Sequence, residues 1–169
     1  MPSFPASLLP GGSPLAHHVH LHLAASAATL DLFGRSEAAL LDPDARSVVG
    51  EIRGELQDGH RALRRMAAAL GVGESRVLTL AARAGERLGR LKPNGSLTER
   101  TDLTDVVELE AMRTAVTGIR AGWQALLSVA DVHPVLDQLE LQELVGRSED
   151  HQSRLAEAHT RAAARALLH

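Results

Sequence analysis

Five acidic and imidazole side chains of this sequence recur on the inner flanks of helical patterns: Glu55, His60, Glu108, Glu149 and His151. Carboxylates and imidazoles are the groups with which proteins bind iron, manganese and zinc. Bundles of four helices build dinuclear centres from one Glu on each of two helices and a Glu-x-x-His pair on each of the other two. The pattern therefore makes these five residues candidate metal ligands.

The set falls short of a complete dinuclear centre. Two cations held about 4 Å apart need several anionic oxygens to offset their repulsion, yet the sequence contains no Glu-x-x-His. A lone inward Glu or His is more often ion-paired or partly solvated at a helix edge. Glu55, Glu108 and His151 would still suffice for a single divalent ion with water completing its shell. We expect no fully occupied metal cofactor and leave a single divalent ion as an alternative.

A second group of imidazoles lies in the segment HHVHLH, residues 17–22. On a helix His18 and His22 share one face, whereas His20 lies well round from it. Such an i, i+4 pair can hold a transition metal weakly, and a solvated first helical turn is the alternative. The sequence has no G-x-S-x-G, no Gly-rich phosphate loop and no cysteine. No catalytic residue is therefore predicted.

The composition favours a helical protein. The chain of 169 residues is long enough for one domain with a substantial core, and its apolar fraction of 44% includes only 2% aromatics. Ala and Leu dominate, which favours helix packing over sheets. The net charge of −3 comes without a basic stripe, and no apolar run reaches the length of a membrane span. We expect a cytoplasmic protein that binds neither nucleic acid nor membrane.

Helical periodicity predicts four long helices and one short one. Apolar residues step by three and four along three of the long segments, as in a bundle seam. Ser13-Pro14 is a typical helix start, Asp44 can cap the second helix, and Gly71 can end it. The predicted helices are 14–41, 45–70, 75–91, 102–131 and 135–167. Residues 1–13 are predicted to be a flexible arm, and residues 14–169 the bundle.

Ten apolar residues are predicted to be buried together in the core of this bundle. They lie on the inner seams of the long helices. They are Leu23, Leu30, Phe33, Ile52, Leu63, Met112, Val116, Ile119, Trp123 and Leu155.

Four segments carry a resemblance to a known family. They are ELQDGHRALRRMAAALGV, GVGESRVLTLAARAGERL, DLTDVVELEAM and SEDHQSRLAEA, within about residues 15 to 165. In order and spacing they resemble the YciE/YciF-like branch of the ferritin-like superfamily, a group of bacterial stress-associated proteins. The resemblance implies an all-α, ferritin-like antiparallel four-helix bundle, with one short extra helix between the second and third long helices. It also implies a homodimer.

The resemblance carries over only part of the family's metal site. Glu55 and Glu108 match family ligands, and Glu149 matches with an ambiguity of one residue. Neutral residues stand at the family's further ligand positions: Ser26 or a neighbouring Ala, Leu109, Ala111 and Gln152. The resemblance therefore implies a di-metal site that has been eroded.

Two functions follow as hypotheses. The first is a non-enzymatic, stress-associated bundle with an eroded di-metal site, acting through oligomerisation or binding of a protein partner. The second is a functional di-iron or di-manganese protein, a ferroxidase or peroxide-handling enzyme, that uses a non-standard ligand set. The neutral replacements favour the first hypothesis.

Overall fold

A computed structural model describes residues 13–72 and 100–168, and these residues form four long helices and no strand. The helices are α1 (Pro14–Ala39), α2 (Pro43–Ala69), α3 (Asp102–Leu127) and α4 (Gln138–Leu167), with a 3-10 turn at Ala130–Val132. The predicted all-α fold of four packed long helices is confirmed. The short helix predicted at 75–91 lies outside the described residues, as does the predicted arm apart from Ser13.

Polar caps set most of the helix boundaries. Ser13 accepts a hydrogen bond from the backbone N–H three residues later, as expected at the start of α1. The cap of α2 is Asp42 rather than the predicted Asp44, and the Asp42 carboxylate accepts from the Asp44 N–H at 3.1 Å. Gly71 follows α2 with φ of 69°, the left-handed conformation that glycine adopts without strain.

The link between α3 and α4 is longer than predicted. Helix α3 ends at Leu127, not near residue 131, and α4 begins at Gln138, not at residue 135. The later start has a local cause, since the Asp137 carboxylate accepts hydrogen bonds from the N–H groups of Leu139 and Glu140. An aspartate at the N-cap position starts a helix more effectively than Pro134, which lies three residues before Asp137.

The helices follow the order α1, α2, α4, α3 around the bundle, and neighbouring helices run antiparallel. Contacts that fix the directions join an early residue of one helix to a late residue of its neighbour. They are Arg53–Glu37 (α2 and α1), Arg65–Glu140 (α2 and α4), His159–Glu110 (α4 and α3), and Leu41–Asp105 at the end of α1 and the start of α3. Helices α2 and α3 therefore lie on a diagonal, with Val72 and Arg100 at opposite ends of the bundle.

In the described residues the core consists of two apolar clusters, one towards each end of the bundle. Nine of the ten predicted core residues are buried, and Leu30 is half-buried against the second cluster. The prediction that all ten pack together is wrong in one respect. The first cluster holds Leu23, Leu63, Ile119 and Trp123, and the second holds Phe33, Ile52, Met112, Val116 and Leu155. Buried polar residues separate the two clusters.

One contact between α1 and α3 requires a glycine. A methyl group added at Gly122 would lie 1.9 Å from Cε1 of His22 and 2.2 and 2.3 Å from its two ring nitrogens. The imidazole therefore occupies the space that a side chain at position 122 would need. Burial, and to a smaller extent the neighbouring His18, lowers the pKa of His22 to about 4. His22 is consequently neutral in the folded protein at neutral pH.

Stability should decrease in acid because of His22. The pKa of His22 in the folded protein lies below the ordinary value of 6.5. The neutral imidazole therefore contributes fully to the free energy of unfolding above pH 6.5, and this contribution is lost as the pH falls towards 4. We expect a loss on the order of 2–3 kcal/mol in the free energy of unfolding across this window. Denaturant titrations in EDTA would measure it. The variant His22→Gln should flatten the pH dependence and exposed His17→Gln should not; an equal slope in wild type and His22→Gln would contradict the assignment.

Candidate functional site

A layer of polar side chains crosses the bundle between the two apolar clusters. Helix α1 contributes Ser26, α2 contributes Glu55 and His60, and α4 contributes Ser148 and His151. These residues share the wall of a small cavity with apolar side chains of α3, including Ile119 and Trp123. The cavity measures about 10 Å³, which is close to the least volume that a single water needs. The layer therefore has room for a water or one small ion and not for an organic substrate.

Glu55 is the centre of an ion-pair network in this layer. Its Oε2 lies 2.9 Å from Nε2 of His151, and its Oε1 accepts a hydrogen bond from Nη1 of Arg154 at 3.0 Å. Burial raises the pKa of Glu55, but the hydrogen bonds and charges of His151 and Arg154 outweigh burial and hold the pKa below its usual value. Arg154 also binds Glu51 and Asp150. The carboxylate is thus ionised and its charge is compensated.

The contact with Glu55 also fixes the orientation of the His151 ring. An ionised carboxylate only accepts hydrogen bonds, so Nε2 of His151 is the donor. The opposite nitrogen, Nδ1, is buried and has no hydrogen-bond partner in the described part of the chain. A carboxylate that orients an imidazole is the arrangement found behind metal-bound and catalytic histidines. The cavity beside this ring, about 10 Å³, is too small for an organic substrate.

His60 lies in the same polar layer, but its hydrogen-bond partner is Ser26 rather than Glu55. Its Nδ1 lies 3.1 Å from the hydroxyl of Ser26, and so joins α2 to α1. Burial first, and then the charge of Arg64, lowers the pKa of His60 below its usual value. Ser148 does not complete this contact, because its hydroxyl donates to the backbone carbonyl of Leu144 at 2.8 Å. His60 is therefore a neutral, hydrogen-bonded residue at the edge of the layer.

The other two candidate carboxylates are paired with arginines elsewhere. Glu108 accepts from Nη2 of Arg100 at 2.7 Å, at the end of the bundle where α3 begins. Glu149 accepts from Nη2 of Arg120 at 2.7 Å, on the outer surface between α3 and α4. Among the described residues, no hydrogen-bond partner is shared by Glu108 and Glu55, the two carboxylates that the sequence offered as ligands of a single divalent ion. In the structure Glu55 pairs with His151, whereas Glu108 pairs with Arg100 and Glu149 pairs with Arg120.

Sequence reasoning missed the arginines that compensate these carboxylates. Arg154 follows Asp150 by four residues, a spacing that predicts an ion pair along one helix, and that pair is present at 3.2 Å. The same guanidinium reaches Glu55 on α2, which no local spacing indicates. Within the described residues, no three His, Asp or Glu side chains are arranged to hold a metal ion.

Comparisons with known proteins found no match to a protein-family model, a curated protein or a solved structure. The resemblance to the YciE/YciF-like branch stays a prediction from the sequence. No helix in the described ranges is both long and apolar enough to cross a membrane.

Proposed function

We propose that this protein is a non-enzymatic bundle of ferritin-like descent in which arginines, rather than metal ions, compensate the carboxylates of Glu55, Glu108 and Glu149. The observation that supports it best is the pairing of Glu55 with Arg154 and His151, which occupies both carboxylate oxygens. A divalent cation at Glu55 would lie close to the guanidinium charge and would be repelled by it. Arg100 and Arg120 oppose a metal at Glu108 and Glu149 in the same way.

The helix order supports the proposed descent. Helices α2 and α3 lie on a diagonal of the bundle and are parallel, because each is antiparallel to the neighbours that they share. Bundles with one long crossover connection have this arrangement, and ferritin-like folds are among them. The cavity beside His151, about 10 Å³ and too small for an organic substrate, supports the non-enzymatic part of the proposal.

The proposed activity is association into a homodimer or with a protein partner. Five of the eight exposed large apolar side chains of the described residues lie at the end of the bundle where α1 and α2 are connected: Leu41, Leu103, Val107, Leu167 and Leu168. The ion pair of Arg165 with Asp42 places the end of α4 at this site, and Asp105 places the start of α3 there. Grouped apolar side chains on a surface favour protein association. This end of the bundle is the proposed contact surface.

Metal analysis combined with sedimentation tests the proposal. The untagged chain should contain well under about one equivalent of iron, manganese or zinc, because too little uncompensated negative charge remains to bind them. After treatment with EDTA it should sediment as a dimer. Added iron(II) or manganese(II) should change neither the sedimentation nor the Tm, since stabilisation requires binding tighter than the free metal concentration.

Two results would contradict the proposal in different ways. A pair of metal ions about 3.5–4 Å apart inside the bundle would favour the di-metal oxidoreductase instead. A monomer at micromolar concentration that also captures no second copy would overturn the homodimer, while leaving the binding of a protein partner and the account of the carboxylates intact.

A further inference from the structure

Two imidazoles of α1 face each other one helical turn apart and lie outside the polar layer. The ring centroids of His18 and His22 are 4.6 Å apart, with 60° between the ring planes. Nε2 of His18 is buried and has no hydrogen-bond partner among the described residues. Neither ring takes part in an ion pair in that part of the chain. No hydrogen-bond donor among the described residues therefore binds the ring nitrogens of this pair.

The second ring is held in place by α3. The close approach of His22 to the Gly122 backbone leaves the imidazole little room to turn. A fixed ring favours metal binding, because it reduces the entropy lost when the ion binds.

We propose that His18 and His22 chelate one late first-row transition ion, Cu(II) or Ni(II), in neighbouring coordination positions. A metal bound at about 2.0–2.1 Å from an imidazole nitrogen lies about 3.2 Å from the ring centroid. If one metal lies at this distance from both ring centroids, the centroid separation of 4.6 Å gives an angle of about 90° at the metal. Square-planar and tetragonal sites have this angle. A centroid separation of 4.6 Å is therefore compatible with one Cu(II) or Ni(II) ion bound by both rings.

The ligand types favour the same ions. Imidazole pairs suit copper, nickel and zinc, whereas manganese, magnesium and calcium take oxygen ligands. Copper(II) binds a given nitrogen site more tightly than the other divalent ions of its row. Water would fill the remaining positions. This site lies in the first half of α1, apart from the layer around Glu55.

Copper titration of the untagged, full-length chain tests the proposal. Isothermal titration in a buffer with a competing weak chelator should give one Cu(II) per chain, and the Tm should rise with copper. The electron paramagnetic resonance spectrum of the copper complex should show hyperfine splitting from two nitrogen nuclei. The variants His18→Gln and His22→Gln should each bind copper at least about tenfold more weakly.

A neighbouring histidine provides the control. His17 is exposed on another face of α1, so His17→Gln should keep the wild-type affinity for copper. Circular dichroism identifies a variant that has failed to fold, and the spectrum of the wild-type complex tests the ligands without any substitution. The proposal is overturned if His18→Gln and His22→Gln bind copper as tightly as wild type. It is also overturned if His17→Gln loses as much affinity, since the tract would then bind as an unstructured chelator.

Discussion

Truncating Leu63 or Ile119 to alanine should cost about 2–5 kcal/mol of unfolding free energy. Leu63 on α2 is 1% exposed and Ile119 on α3 is 4% exposed, and both belong to the first apolar cluster. Removing either side chain leaves a cavity that close-packed neighbours fill only in part, so the lost transfer energy and the cavity add. Ile119 also borders the polar layer, where a larger cavity would admit water.

Denaturant titration measures this loss as a lower midpoint at an unchanged slope. The control is Leu139→Ala, because Leu139 is 72% exposed and should change the free energy by less than about 0.5 kcal/mol. Losses below about 1 kcal/mol at both Leu63 and Ile119 would mean that the inner faces of α2 and α3 have been wrongly assigned.

The inner faces could be predicted because they depend on spacing along a single helix. Met112, Val116 and Ile119 follow one another at four and three residues, and such a pattern turns one side of a helix towards the core whatever its neighbours are. The division of the core could not be predicted in this way. It depends on the level at which Ser26 of α1 lines the same cavity as Ser148 and His151 of α4, and the spacing within one helix does not indicate its level relative to another.

The candidate site was predictable in its residue types and not in its partners. A Glu that faces a metal and a Glu that faces an arginine have the same periodicity, since both lie on the flank of an apolar stripe. The difference lies in Arg154, which reaches Glu55 from another helix at 3.0 Å. Ion pairs between residues 99 positions apart are fixed by the order of helices around the bundle, for which a single sequence carries no direct signal.

Asp105 shows the same limit and leads to a second large effect. The sequence places it in the seam of α3 as an inward acid, one turn before Glu108. In the structure its Oδ2 accepts from the backbone N–H groups of Leu41 and Asp42, at 2.8 and 3.3 Å. Its Oδ1 accepts from Nη2 of Arg100 at 2.9 Å. This carboxylate, only 2% exposed, fastens the start of α3 to the connection between α1 and α2.

Replacing Asp105 with alanine should therefore cost on the order of 3–5 kcal/mol, because it leaves two backbone donors without their acceptor and removes one of the two carboxylates that bind Arg100. Asp102→Ala is the matched control. Asp102 is an exposed acid in the first turn of the same helix, and its loss should cost less than about 1 kcal/mol through the helix dipole. Denaturant titration gives both values, and hydrogen exchange locates the effect. The amides of Leu41 and Asp42 should lose protection in Asp105→Ala and keep it in Asp102→Ala. Equal stability losses in the two variants, with both amides still protected, would show that Asp105 does not fasten α3 to the α1–α2 connection.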